Sequence, residues 1–255
     1  MTTGVRRRMG VEERREQLIS VALELFSRRP PADVSIDEIA AAAGISRPLV
    51  YHYFPGKLSL YEAALRRAAD DLAHRFVEPR EGPLGARLSR VMERYFDFVD
   101  AHGPGFSALM RGGPSVPSGE AANALIDAVR QAARDQILAH LGVAEPSARL
   151  DLVVRSWVSL AESTALLWLD GRRLARAELE RQLVHDFVAL LAVSAQRDPE
   201  LAALLRGILA REPVDGPFAE LVAGLFALAP AGLPRARAEA EAEAEAREVI
   251  SSPRT

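Results

Sequence analysis

The chain has 255 residues, which is enough for one large domain or two small ones. Hydrophobic residues make up 49% of the sequence and aromatic residues only 6%, and this balance, rich in Ala and Leu, favours packed helices over sheets. The net charge of −3 does not by itself suggest nucleic acid as a partner, and the lack of cysteine excludes disulfide bonds and thiolate metal sites. We therefore expect an all-α protein, and a chain without cysteine suits the cytoplasm.

The N-terminal region predicts a helix preceded by a basic segment. Apolar residues recur at helical spacing from about Val11 to Arg28, and two prolines follow. Three consecutive arginines at positions 6–8 precede this helix without an apolar run behind them, so the segment is not predicted to be a secretory signal. These arginines either aid solubility alone or form a basic arm that follows a minor groove of DNA.

Residues 35–57, SIDEIAAAAGISRPLVYHYFPGK, predict a helix-turn-helix motif. Ser35 and Glu38 have the spacing of a capping box, in which two side chains satisfy free amides at a helix start. Gly44 supplies the left-handed residue that ends this helix, since most side chains adopt that conformation only with strain. Ser46 is expected to cap the second helix, with Pro48 in its first turn, where an amide hydrogen is not needed. The order of these features, rather than any one of them, indicates the motif.

The second helix of the motif is predicted to expose one face. Val50 and Phe54 lie four residues apart and therefore point together into the core. The outward face then carries Arg47, Leu49, Tyr51 and Tyr53. A short helix with such a face fits the major groove of DNA. The alternative, that the two tyrosines are core aromatics of a small helical domain, is disfavoured by their position opposite the apolar pair.

This segment resembles the TetR/AcrR family of one-component transcriptional regulators, and the resemblance covers roughly residues 11 to 75. The stretch ISRPLVYHYFPGK is similar to the family's recognition helix and the turn that follows it. The resemblance implies an all-helical homodimer, a double-stranded DNA operator with two half-sites, and a C-terminal domain that binds a small effector. By position it implies base contacts from Arg47, Pro48, Leu49 and Tyr53. It also implies phosphate contacts from Ser35, Tyr51 and Lys57, and we add Ser46 at the start of the helix to the DNA-binding set.

A fourth helix is predicted from near Lys57 past Leu72. The turn at residues 81–83 is expected to separate a three-helix helix-turn-helix DNA-binding domain, residues 1–80, from a C-terminal helical bundle, residues 81–197.

The C-terminal bundle is predicted to hold helices near residues 88–99, 106–110, 121–141, 147–170 and 176–196, with a loop at 112–119. Residues 198–234 should add a helical appendage of two short helices, and residues 235–255 a charged low-complexity tail, frayed or disordered. The apolar stretch at 218–234 falls short of the roughly 20 residues that span a bilayer, so no membrane association is expected.

The predicted helices at 147–170 and 176–196 are apolar over most of their circumference, so each needs cover on several sides. Four residues form the narrow polar stripe of the first helix: Asp151, Arg155, Ser159 and Glu162. Two such helices per subunit suit a four-helix dimer interface, as the resemblance also implies, and the alternative is a deep monomer core. The dimer is preferred because a single DNA-binding domain contacts only one half-site.

An effector pocket is predicted inside the second domain. Its apolar lining would come from Tyr95, Phe98, Phe106, Met110, Trp157 and Trp168. Glu162, Arg155 or His140 would orient a polar group of the ligand. Such a lining favours a hydrophobic small molecule as effector. The alternative is that these aromatic residues belong to the core, which is the commoner role of an aromatic stripe.

The sequence predicts no catalytic, metal or cofactor site. No Gly-rich phosphate loop follows a strand, and the five histidines form no pair at metal-binding spacing. We therefore predict a cytoplasmic, homodimeric and ligand-responsive transcriptional regulator, a repressor released from its operator by a small effector. The alternatives are an activator or global DNA-binding protein with the same fold, and a helical enzyme or scaffold with a vestigial motif.

Overall fold

A computed structural model describes residues 10–111 and 120–228. Within these ranges the chain forms helices and no strand, so the predicted all-α class is confirmed. The basic segment at 6–8, the loop at 112–119 and the tail at 235–255 lie outside the described residues. The helices are α1 (Val11–Arg28), α2 (Ile36–Ala42), α3 (Arg47–Tyr53), α4 (Lys57–Arg75), α5 (Leu84–Ala101), α6 (Gly103–Arg111), α7 (Glu120–Leu141), α8 (Ala148–Gly171), α9 (Arg176–Ala195), α10 (Pro199–Leu209) and α11 (Pro217–Leu228).

The first four helices enclose a hydrophobic core of their own. α1 contributes Leu18 to it, α2 contributes Ile39 and α3 contributes Val50, and all three side chains are fully buried. A 3₁₀ turn at Pro31–Asp33, which the sequence pattern did not predict, connects α1 to α2. The two prolines before Ala32 explain it, since a proline ring stops the preceding helix and fixes the φ angle that the turn needs.

α4 is shared between two hydrophobic cores. Its first half contributes Leu60 and Ala64 to the first core, whereas Leu72 and the following Phe76 belong to the second. A helix of 19 residues is about 28 Å long, so it extends beyond the small unit formed by α1 to α3. α4 therefore connects the two cores, and the turn at 81–83 follows its C-terminal end.

The second core is built mainly by α5, α8 and α9. Phe96, Leu183 and Phe187 are fully buried in it. Trp157 of α8 packs edge-on against Phe187, with ring centroids 5.1 Å apart, and its Nε1 donates a hydrogen bond to the carbonyl of Leu183 at 2.7 Å. The indole thus satisfies its only polar group while its ring fills the core.

The last two described helices are part of this core rather than a separate appendage. Leu201 and Ile208 of α10 and Phe218 of α11 are buried against α9 and α5. The carboxylate of Glu212, between these helices, accepts hydrogen bonds from the amide of Gly85 at 3.1 and 3.3 Å. The two helices predicted in this region are present, and their buried side chains pack them onto the bundle.

α8 is the one helix in the described ranges whose length and composition would suit a membrane span. It has 24 residues, and an 18-residue stretch of it has a mean hydropathy of 1.2. Its surroundings are those of a bundle helix. Val154 and Ala165 are fully buried, and Asp151 and Glu162 form ion pairs with arginines of α7. Its remaining apolar side chains form an exposed stripe that bears on self-association.

Candidate DNA-binding interface and effector cavity

A capping box starts α2, as the sequence predicted. The Glu38 amide donates to Ser35 Oγ at 3.1 Å, and the Ser35 amide donates to the Glu38 carboxylate at 2.8 Å. The Glu38 carboxylate accepts hydrogen bonds from the Ser35 amide, from Arg29 at 2.9 Å and from the Ser35 hydroxyl, and these bonds lower its pKa to about 2. The Ser35 hydroxyl also donates to Glu38, so it is engaged within the chain before any contact with phosphate.

The turn between α2 and α3 depends on one glycine. Gly44 has a φ angle of +67°, the left-handed conformation that its position predicted. The Gly44 amide donates to Ala41 O at 3.1 Å and the Ile45 amide to Ala40 O at 3.0 Å. This pair of bonds is a Schellman motif, which satisfies the free carbonyls at the end of α2 and redirects the chain into α3.

α3 presents one buried and one exposed face. Val50 is fully buried and Phe54, at the end of the helix, is 3% exposed, so the apolar pair faces the core as predicted. Ser46 occupies the N-cap position, but its side chain makes no capping hydrogen bond, which corrects the expected cap. The hydroxyl of Ser46 is therefore open to solvent. The exposed residues at the start and along the outer face are Ser46, Arg47, Pro48, Leu49 and Tyr51.

Tyr53 differs from the sequence expectation. It is only half-exposed and packs against the first core, whereas the neighbouring His52 is exposed. The two rings meet edge-on with centroids 5.2 Å apart. The helical position of residue 53 explains this placement, because it lies three residues after Val50 and borders the buried face. His52 was not among the predicted contacts, although its place on a seven-residue helix with one buried face pointed to exposure.

Arg47 is held in place by two neighbours. Its Nη1 lies 2.9 Å from the Asp37 carboxylate of α2, and its Nη2 donates to the Tyr51 hydroxyl at 3.4 Å. The guanidinium also lies 5.6 Å from the centroid of the Tyr51 ring. All three side chains are exposed, so the ion pair is weak enough to exchange for another anion.

Lys57 points into the protein rather than towards a ligand. Its Nζ donates to the carbonyls of Pro31 at 3.0 Å and Val34 at 3.1 Å, with Ala32 at 3.5 Å. These acceptors account for all three ammonium hydrogens. In this structure Lys57 therefore links the start of α4 to the turn before α2, and its ammonium group is not directed towards the expected phosphate contact.

A cavity of about 60 Å³ lies between helices α4 to α8. The following residues predicted for an effector pocket line it: Tyr95, Phe106, Met110, Trp157 and Glu162. Phe98 lines the neighbouring cavities that face α1 and α4 instead, because it lies on a different side of α5. Trp168 does not line the cavity and packs edge-on against Phe96 in the second core. The volume suits about four or five water molecules, so a larger ligand has to displace side chains.

Polar groups stand at the edge of this cavity. Arg130 of α7 and Glu162 of α8 form a two-pronged ion pair, with Nε and Nη2 at 2.9 and 2.8 Å from the carboxylate oxygens. His140 also lines the cavity, whereas Arg155 does not and pairs with Asp151 at 2.7 Å. The Tyr95 hydroxyl lies inside, and burial raises its pKa far above the ordinary value.

Comparison with known proteins agrees with this geometry. Residues 18–64 match the family model described as bacterial regulatory proteins, tetR family, and residues 84–190 match a tetracyclin repressor-like C-terminal domain. A crystal structure of a tetR-family transcriptional regulator from Streptomyces coelicolor is 77% identical, with a TM-score of 0.83 over 86% of this chain and 99% of that one.

Two relatives carry functional descriptions. The HTH-type transcriptional activator FasR of Mycolicibacterium smegmatis is 30% identical over 170 residues, which cover 65% of this chain and 77% of that protein. The HTH-type transcriptional repressor LfrR of the same organism is 36% identical over 92 residues, which cover 34% of this chain and 47% of that protein.

The helix-turn-helix and the helical bundle behind it define a DNA-binding transcriptional regulator. The chain belongs to the TetR family. Members of this family are regulators and not enzymes, so the alternative of a helical enzyme with a vestigial motif no longer applies.

Proposed function

We propose that the protein is a homodimeric repressor that binds an operator through α3 and leaves it when a hydrophobic effector enters the cavity between α5, α7 and α8. The observation that carries the proposal is the division of α3 into a buried face and an exposed one. Arg47, Pro48, Leu49 and Tyr51 lie together on the exposed face, where their side chains meet base edges and phosphates once α3 enters a major groove.

The DNA contacts fall into two groups. Arg47, Pro48 and Leu49 stand at the start of the helix, the part that enters a groove most deeply, and we assign them to the bases. Tyr51, Ser35 and the uncapped Ser46 are assigned to the backbone phosphates. Tyr53 contributes only through its exposed edge, and Lys57 acts by holding the turn before α2.

Self-association is supported by the outer face of α8. Leu152, Leu160 and Leu167 are 63%, 37% and 73% exposed and lie seven or eight residues apart, so they share one stripe. Ser156 and Ser163 are exposed between them and are small enough to let a second helix approach. On α9, Val193 adds an apolar side chain that is 67% exposed. A symmetric pairing of these helices covers the stripe and joins two DNA-binding domains.

Effector response is supported by the position of the cavity. Its wall includes Leu72 of α4, the helix that begins in the core of the DNA-binding domain. A ligand that expands the cavity therefore presses on an element that both domains share. By linkage, effector and operator then weaken each other's binding by the same factor. A regulator of this kind acts in the cytoplasm, where the DNA is.

Activation of transcription is the second candidate. The observation that favours it is the relation to an activator over 77% of that protein's length. The two functions differ in where the operator lies, because a repressor overlaps the sites that polymerase occupies.

Selection of bound fragments from random DNA, followed by footprinting at the selected site, tests the proposal. We expect two inverted half-sites with centres about 34–36 Å apart, overlapping a promoter. Arg47→Ala should abolish the preference for this site, whereas Arg149→Ala, a change at an exposed position of α8, should leave it intact. The absence of any selected sequence at moderate ionic strength contradicts operator binding, and a footprint upstream of the promoter favours activation.

A further inference from the structure

A second cavity lies next to the effector cavity, and His140 lines both. It is bounded by the start of α5, the end of α7 and the turn after α10, and its volume is about 230 Å³. One water needs roughly 10–15 Å³, so the space is large enough for a small ionic group. Unlike its neighbour it is lined by charges, with three arginines against one carboxylate: Arg80, Arg87, Arg211 and Glu212.

Arg87 is the central residue of this cavity. It is only 9% exposed, and its Nη1 lies 2.9 Å from Nδ1 of His140. Because an arginine only donates, His140 accepts at Nδ1, and its proton in the neutral form lies on Nε2. Within the described ranges, neither Nε of Arg87 nor Nε2 of His140 has a hydrogen-bond partner. Two buried donors at one cavity thus lack acceptors.

The buried charge of Arg87 is also left without a counterion. No carboxylate of the described chain lies within ion-pair distance of it. Glu212 is bound to the Gly85 amide, and Glu78 is held by Arg90 and Arg94. Burial, only partly offset by the charge of Glu212, lowers the pKa of Arg87. Water can solvate such a group but cannot neutralise it, and an unpaired buried cation is costly.

We propose that this cavity binds the anionic group, a phosphate or a carboxylate, of a small molecule. Arg87 supplies the buried charged donor, and Arg80 and Arg211 supply positive charge at the cavity mouth. A guanidinium is the side chain best shaped for such groups, since its planar fork matches two oxygens. The anion either belongs to a small hydrophilic molecule or is the head of an amphipathic one whose apolar part fills the adjacent cavity. The site does not depend on DNA binding.

Titration calorimetry on the full chain, without DNA and at constant ionic strength in chloride, tests the site. The probes are inorganic phosphate, decanoate and decanol. Arg87→Met should weaken binding of phosphate or decanoate by roughly tenfold or more, because a charged hydrogen bond and the neutralising charge are both lost. Arg211→Met should have a smaller effect, since Arg211 is exposed and its Nε already donates to Gly207. Arg149→Met, which removes an exposed arginine elsewhere, is the matched control and should bind as the original protein does.

The outcomes separate the two sources of the anion. Phosphate binding that depends on Arg87 indicates a hydrophilic ligand. Decanoate binding that depends on Arg87, with no binding of decanol, indicates an amphipathic ligand. Both results support the site. No binding of either anion at millimolar concentration, or equal affinity in the original protein and Arg87→Met, overturns it. If Arg87→Met loses its helical circular dichroism, the double variant Arg80→Met with Arg211→Met takes its place, because both side chains are exposed, and unchanged affinity there overturns the site as well.

Discussion

Gly105 of α6 lies so close to Phe26 of α1 that a β-carbon at position 105 would be 2.6 Å from the Phe26 carbonyl oxygen. The obstacle is backbone rather than the end of a flexible side chain, so it cannot turn away. This contact joins a helix of the ligand-binding bundle to a helix of the DNA-binding domain. Close approach of two backbones transmits small displacements, because packed interiors have little free space to absorb them.

We expect Gly105→Ala to separate α1 from α6 and to lower the free energy of unfolding by about 1–3 kcal/mol, as overpacked substitutions do. Urea unfolding measures the loss of stability. Operator affinity should also change, because α1 belongs to the DNA-binding domain. Gly207→Ala is the control, since no atom lies within 4 Å of a β-carbon there and alanine favours a helix. Equal stability of the two variants would show that α1 and α6 can move apart freely.

The same junction contains a buried histidine. Ser27 Oγ donates to the Leu23 carbonyl at 2.8 Å, which uses its only proton, and it lies 2.5 Å from Nδ1 of His102. His102 therefore donates from Nδ1, and burial lowers its pKa below the ordinary value. Below about pH 6.5 the unfolded histidine gains a proton that the folded one resists, so stability falls as the solution becomes more acidic.

His102→Asn should reduce this sensitivity to acid, because the asparagine amide can donate to Ser27 Oγ but does not titrate. Urea unfolding at pH 7.5, 6.0 and 5.0 compares the two proteins. As the pH falls, the free energy of unfolding of the original protein is expected to decrease more than that of the variant. Parallel pH profiles would mean that His102 takes up a proton in the folded state as easily as in the unfolded one.

Residues that end helices, such as proline and glycine, made much of the fold predictable. The predicted bounds of α1 coincide with Val11–Arg28, because two prolines follow it, and Gly44 marked the turn after α2 by the conformation it permits. The buried face of α3 followed from the spacing of Val50 and Phe54. These features depend on residues within a few positions of each other, which is the range in which sequence patterns act.

Contacts between distant segments were not predictable in this way. Gly105 precedes the helix predicted near residues 106–110, yet α6 starts at Gly103 and packs on α1. Lys57 has carbonyl partners 23 to 26 residues earlier in the chain, and Glu212 binds an amide 127 residues away. No local spacing encodes such partners, so the direction of these side chains emerges only when the helices are packed.

Asp37 is expected to limit the availability of Arg47 for DNA. Their ion pair, at 2.9 Å, has to break before the guanidinium contacts a base or a phosphate. Asp37→Asn should therefore increase operator affinity several-fold and steepen the dependence of log K on log salt by roughly one unit, since one more cation meets the DNA. Fluorescence anisotropy at several salt concentrations measures both quantities.

Asp215→Asn is the control for that prediction, because it removes the same charge from an exposed turn between α10 and α11. An equal gain in operator affinity in the two variants would assign the effect to overall charge rather than to Arg47. A loss of affinity in Asp37→Asn would mean that the carboxylate positions Arg47 productively instead of restraining it.

The outer stripe of α8 leads to a prediction about assembly. Leu167 is 73% exposed and continues the apolar stripe of Leu152 and Leu160. Burial of such a side chain in a dimer contributes about 1.5–3 kcal/mol per subunit. Leu167→Arg should place like charges on both sides of the two-fold axis and convert the protein to a monomer at micromolar concentration, as native mass spectrometry would show. Val214→Arg, at a position that is 97% exposed in a turn, adds the same charge and should remain dimeric. Loss of the dimer should lower operator affinity, because a monomer contacts one half-site only. A monomeric original protein would contradict the proposed dimer, and a dimeric Leu167→Arg would place the subunit interface elsewhere.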